Sequence, residues 1–178
     1  MLSAALLYEN TTMKLTIQFL TLRCLLAASL LVAFLMPPGG WCADPFYIGS
    51  WKITSAAVAP WWSDAKQKPD AAESKALVGQ TIAIGNNSIA GPRQLACKNA
   101  HYQMKEYPAD MLFQGMIGEM HARDKSVDPG KTAASVGFNG TKWKTLETGC
   151  DNEIELHFLD DGTAAFGLNN YIYVLKKK

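Results

Sequence analysis

The densest set of possible metal ligands is His101, Met104, Met111, Met116, Met120 and His121, all within 21 residues. Thioether sulfur together with imidazole is the donor set that Cu(I) prefers, so the segment is a candidate for copper handling. Packing is the stronger reading. Met116 and Met120 fall on an apolar helical stripe, where flexible thioethers fill core gaps, and repeated Met-x-x-Met spacing is absent. No metal ligand and no cofactor is assigned.

Catalytic patterns are sparser still. The chain has no G-x-S-x-G elbow, H-E-x-x-H, Walker or Rossmann glycine motif. Ser88 enters a strand from the Asn86-Asn87 turn with no histidine nearby in sequence. Glu153, Glu155 and His157 share one face of an alternating stretch and read as solvated. No catalytic residue is assigned, and a non-enzymatic protein is expected.

The thiols depend on where the chain goes. From Met13, the expected start of translation, Lys14 and Arg23 precede an uncharged run from Cys24 to Met36, broken by Pro37-Pro38-Gly39-Gly40. A basic start, a short apolar run and a small residue at the end make a secretory signal, placed at residues 1–43. The run is too short for a bilayer span of about 20 residues, so no lasting membrane anchor is expected. A lipidated Cys42 is the rival reading, disfavoured because Trp41 precedes it. Of the four cysteines, cleavage after Ala43 leaves Cys97 and Cys150, and two thiols in an exported chain read as one disulfide. A periplasmic or secreted location follows.

Charge excludes some partners. Removing Lys14, Arg23 and Glu9 from 17 basic and 16 acidic residues leaves 15 of each. A neutral mature chain lacks the basic footprint of a nucleic-acid or anionic-membrane binder.

The elements that must position these residues are mostly strands. Glu153–Phe158 alternates, Asp161-Gly162 is a hairpin turn, and Thr163–Leu168 turns at Asn169-Asn170 into Tyr171–Leu175. Val136–Phe138 and Thr141–Glu147 form another turn-linked pair, making five consecutive strands. Tyr47–Thr54, Leu77–Ile84, Ser88–Ala90 and Tyr102–Tyr107 add four more, with a helical turn or two at Asp70–Ala76. Asp110–His121 is the one clear helix, carrying Leu112, Phe113, Met116, Ile117 and Met120 on one face; Gly115 and Gly118 weaken it, and Ala122–Lys131 reads as a loop. Residues 44–178 therefore form a single mainly β domain: an antiparallel up-and-down barrel or sandwich of about eight to nine short strands and one short helix.

Aromatic residues suggest where such a domain would bind. Trp61-Trp62 follows Pro60, and adjacent residues are hard to bury together, so the pair suits a loop rim. Tyr171 and Tyr173 oppose Ile172 and Val174, making the last strand apolar on both sides, either buried or lining a greasy cavity. Gly49-Ser50-Trp51 on the first strand resembles the G-x-W signature of lipocalins and their relatives, small barrels that bind hydrophobic molecules. The later lipocalin motifs are not found. The resemblance implies a barrel whose closed end Trp51 plugs.

Taken together, these residues lead us to expect an exported, non-enzymatic protein that binds a small hydrophobic molecule, with Trp61, Trp62, Tyr102, Phe113, Tyr171 and Tyr173 at the ligand or partner surface. The alternative is a protein-partner module, such as an inhibitor or immunity protein of an envelope hydrolase, using loops Ala59–Gln67 and Arg123–Lys131. Cu(I) handling by residues 101–121 is the third reading.

Overall fold

The computed structural model describes residues 45–62 and 69–178. The expected signal segment, with Met13, Cys24 and Cys42, lies outside the described residues, as does part of the Ala59–Gln67 loop. Eight antiparallel strands form one sheet, a half-barrel: β1 (Gly49–Val58), β2 (Thr81–Ile84), β3 (Ile89–Ala90), β4 (Gln103–Tyr107), β5 (Trp143–Glu147), β6 (Glu155–Asp160), β7 (Thr163–Leu168) and β8 (Tyr171–Lys177). Their order is β3-β2-β1-β8-β7-β6-β5-β4, so β8 zips the C-terminal meander onto β1.

The two edges of the sheet, β3 and β4, are tied at one end by the segment between them. Ile89 pairs with Cys97, the Ala100 N–H donates to the Asn87 carbonyl, and the Tyr102 hydroxyl donates to the Ser88 carbonyl. On the other side the His101 N–H donates to the Thr148 carbonyl just past β5. The Cys97–Cys150 disulfide spans the same gap. No helix among the described residues is long and apolar enough to cross a membrane.

Both faces of the sheet are covered, which corrects the one-wet-face reading of β6. One face carries Trp51, Ile53, Leu146, Leu156, Phe158, Phe166, Tyr173 and Leu175, all at most 3 % exposed. Trp51 anchors this core through its Nε1–H, which donates to the Tyr47 carbonyl at 2.8 Å. The other face, with Trp143, His157, Ala165 and Ile172, lies beneath a cap built by residues 109–138. Because that cap replaces water, His157 is fully buried rather than solvated, and Glu155 is half-buried.

The cap also departs from the single expected helix. A 3-10 turn (Ala109–Met111), helix α2 (Met116–Arg123) and helix α3 (Pro129–Ser135) replace it, while α1 (Ala72–Leu77) falls near the expected helical turns. The Asp110–His121 periodicity breaks because Phe113, Gln114 and Gly115 take φ values of 55°, 55° and 77°. Part of the expected Ala122–Lys131 loop begins α3, where Asp128 caps the helix by accepting from the Lys131 N–H and Pro129 fits the first turn. Val136–Phe138 is the end of that helix and its exit turn, not a strand, so four strands rather than five run consecutively at the C-terminus. The β6–β7 hairpin turns at Asp161-Gly162 as expected, yet neither residue is at positive φ; the Asp160 carboxylate holds the turn by accepting from the Gly162 N–H.

Candidate functional site

The residues expected at a binding surface do not converge. Tyr171 and Tyr173 pack on one face of the sheet, with ring centroids 6.2 Å apart, and Tyr102 packs at the margin of the same core against Tyr47. Phe113 and Trp61 belong to the opposite face, with centroids 5.5 Å apart. Trp62 is half-buried, its N–H bonded to the Ala59 carbonyl.

The polar atoms of these aromatics are used internally. The Tyr171 hydroxyl donates to the Pro69 carbonyl, the Tyr173 hydroxyl to Glu73, and the Trp61 Nε1–H to the Asn169 carbonyl. Burial, followed by the Glu73 carboxylate, raises the Tyr173 hydroxyl pKa; burial likewise raises that of Tyr102. Gly167 is what lets Trp61 and Phe113 sit against β7: a Cβ there would lie 3.3 Å from both side chains. Among the copper candidates, Met104 and Met111 are exposed, Met116 and Met120 half-buried, and His121 Nδ1 bonds the Val127 carbonyl.

A different set of residues does converge. An open cleft of about 520 Å³ lies where the helical cap stops short of the β4–β6 end of the sheet. Asp110, Met111, Gln114 and Gly115 wall it from the cap, and Tyr107, Glu147 and Glu155 from the strands, with Gly149, Cys150 and Glu153 closing the end. Among the described residues that line it, four are acidic and none is basic.

Strand register creates the central feature. Glu147 and Glu155 are direct cross-strand partners, an arrangement of like charges that costs stability. Their surroundings move them in opposite directions. The Lys105 ammonium, 2.7 Å from Glu147, and the Tyr107 hydroxyl hold the Glu147 carboxyl below its ordinary value. Burial pushes Glu155 up, assisted by the nearby Glu147 charge and opposed by the Gln114 N–H. Its Oε2 is buried with no hydrogen-bond partner. The Tyr107 hydroxyl, bonded to Glu147 Oε1, is raised by burial and then by that bond.

His157 lies under the cleft wall with no exposed surface. The Phe113 N–H donates to its Nε2 at 2.9 Å, so Nε2 presents a lone pair. Nδ1 must then carry the proton and donate to Thr145 Oγ1, also at 2.9 Å. Burial pushes the imidazole down to about 3, which keeps it neutral. The 3.8 Å approach of Glu155 Oε2 to Nε2 is therefore no ion pair.

Backbone strain collects at the same place. Among the described residues, the non-glycine residues at positive φ are Phe113, Gln114, Glu153 and Asn169; Gln114 and Glu153 line the cleft, and Phe113 adjoins it. Gln114 Nε2 donates to the Glu153 carbonyl, tying two of these residues together. Such conformations persist only where the surroundings over-determine them. Sequence reading missed Tyr107, Glu147 and the buried role of His157 because the cross-strand register and the helical cap are not encoded in local alternation. The one local signal was Gly115, a breaker inside an apolar helical pattern. No family model, curated protein or solved structure matches the chain.

Proposed function

We propose that the protein is an exported, non-enzymatic binding module that receives a basic side chain of a protein partner in the Glu147–Glu155 cleft. The observation carrying this reading is the cost left unrepaid at Glu155: a like charge directly across the strands, a buried carboxylate oxygen without a partner and strained backbone beside it, while the Lys105 ammonium is engaged by Glu147. A guanidinium or ammonium group seated in the cleft would offset the repulsion between the Glu147 and Glu155 carboxylates. An oxidising destination accords with the Cys97–Cys150 bond. Within the half-barrel, the faces that would line a ligand chamber are filled by packed side chains, so the open cleft is the better-supported recognition element.

Calorimetry of the purified protein against a basic lysozyme, as a representative envelope hydrolase, tests the reading; cytochrome c of similar size and charge is the control. We expect binding of the lysozyme that weakens about tenfold or more in Glu147→Gln and Glu155→Gln. Equal affinity in both variants, or equal binding of cytochrome c, would discard the cleft as a specific site. Saturable displacement of a fluorescent fatty acid would instead favour a hydrophobic ligand.

A further inference from the structure

The disulfide lies in the wall between two hollows of opposite charge. Cys150 and Gly149 line the acidic cleft on one side. The same two residues, joined by Cys97, line a second hollow of about 490 Å³. Arg93, Lys98 and Asp151 stand around it, so its described residues supply two cations against one anion. The two cysteines are not equally open to attack. Cys150 is buried, whereas Cys97 is half-buried and lines the second hollow but not the cleft. Hydrogen bonds cross the same gap: Asn152 Nδ2 donates to the Gln94 carbonyl at 3.1 Å, and the His101 N–H to the Thr148 carbonyl. Opening the covalent bond therefore leaves the segment tied at several points.

We propose that the second hollow is a thiol-exchange site, at which a small anionic thiol of the glutathione class is taken onto Cys97. The attacking species in such an exchange is a thiolate. The four carboxylates of the cleft repel it, and Arg93 and Lys98 draw it to the side on which Cys97 lies. The carboxylates of the thiol pair with the same two cations. A bond forms between the incoming sulfur and Cys97 Sγ as the Cys97–Cys150 bond breaks. The electron pair leaves on Cys150 Sγ, which takes a proton from solvent, so one disulfide is exchanged for another and the thiol is the sole co-reactant. The Cys150 sulfur is 3.7 Å from the Thr148 carbonyl oxygen, and the new S–H has an acceptor in place. The exchange frees the Cys150 end of the acidic cleft. It needs no partner there, and its failure would leave the binding reading standing.

Purified protein with its disulfide intact is treated at about pH 8 with a large excess of glutathione or of 2-mercaptoethanol, a neutral thiol, and quenched with acid. Peptide mass spectrometry then follows loss of the disulfide and maps the adduct. The expected result is glutathione on Cys97 and a free thiol on Cys150, formed while the domain stays folded. Arg93→Gln combined with Lys98→Gln should slow opening by glutathione about threefold or more and leave opening by 2-mercaptoethanol unchanged. Both side chains are exposed, so the double variant keeps the fold. Glutathione carried on Cys150, no slowing or an equal slowing with both thiols, or a bond that opens only in urea concentrations that unfold the domain, overturns the proposal.

Discussion

Glu155 is a residue whose local chemistry works against the fold. Its folded-state carboxyl lies above the ordinary value, chiefly through burial. Between the unfolded and folded pKa values the native chain therefore binds a proton that the unfolded chain has released. The stabilising share of this group is fully present below the unfolded value and is lost as pH rises through the folded one. At neutral pH the ionised side chain sits beside Glu147 with one oxygen unsatisfied, and contributes cost rather than stability. Glu155→Gln should accordingly raise neutral-pH stability by about 1 kcal/mol while weakening partner binding. The gain should shrink as pH falls and the native carboxyl takes up its proton. Urea titrations of both proteins at several pH values measure it, and a loss of stability at neutral pH would show that the carboxylate is repaid within the fold.

At the scale of elements, the strands from Trp143 to Lys177 were largely legible, because alternation and tight polar turns are local signals. The cap was not. Its helices are short, and the break at Phe113–Gly115 depends on bonds to β6 that no local pattern carries. The same cap made the polar face of β6 unreadable: His157 follows the rhythm of a wet strand yet meets Phe113 and Phe138. The candidate aromatic site was legible only as residue types. The sheet places Trp61 and Phe113 on one face and Tyr171 and Tyr173 on the other, an assignment that needs the pairing of β7 with β8. Gly118 illustrates how tertiary contact reverses a local expectation. Helix propensity favours alanine over glycine by about 1 kcal/mol. A Cβ at Gly118, however, would lie 2.6 Å from the Asp110 carbonyl oxygen, a backbone atom that cannot swing away. Overpacking of this kind costs about 1–3 kcal/mol, so Gly118→Ala should destabilise by about 1 kcal/mol or more. Chemical denaturation decides the sign, and a more stable variant would mean that the 3-10 turn shifts freely.

For the molecule as a whole, the disulfide does what the sheet order leaves undone. β3 and β4 are the outer strands, and β3 is only two residues long. The hydrogen bonds of Ile89, Ala100 and His101 join the connecting segment to both edges, and the Cys97–Cys150 bond fixes that segment to the chain just beyond β5. It closes a loop of 53 residues, whose restriction in the unfolded chain stabilises the native state by about 4 kcal/mol in the chain-entropy model. Against a total of about 5–15 kcal/mol for an ordinary domain, that is a large share. Cysteine usage alone indicated the pairing; that the bond spans the two margins of the sheet came from the topology. Cys150 also lines the cleft, so the bond holds one end of the candidate site. Replacing both cysteines by serine should lower stability by about 4 kcal/mol and should first expose the Ile89, Ala100 and His101 amides to hydrogen exchange, ahead of β7 and β8. Native-state exchange resolves the order. If those amides keep their protection in the double variant, the hydrogen bonds alone hold the margins together, and the covalent bond is incidental to the half-barrel.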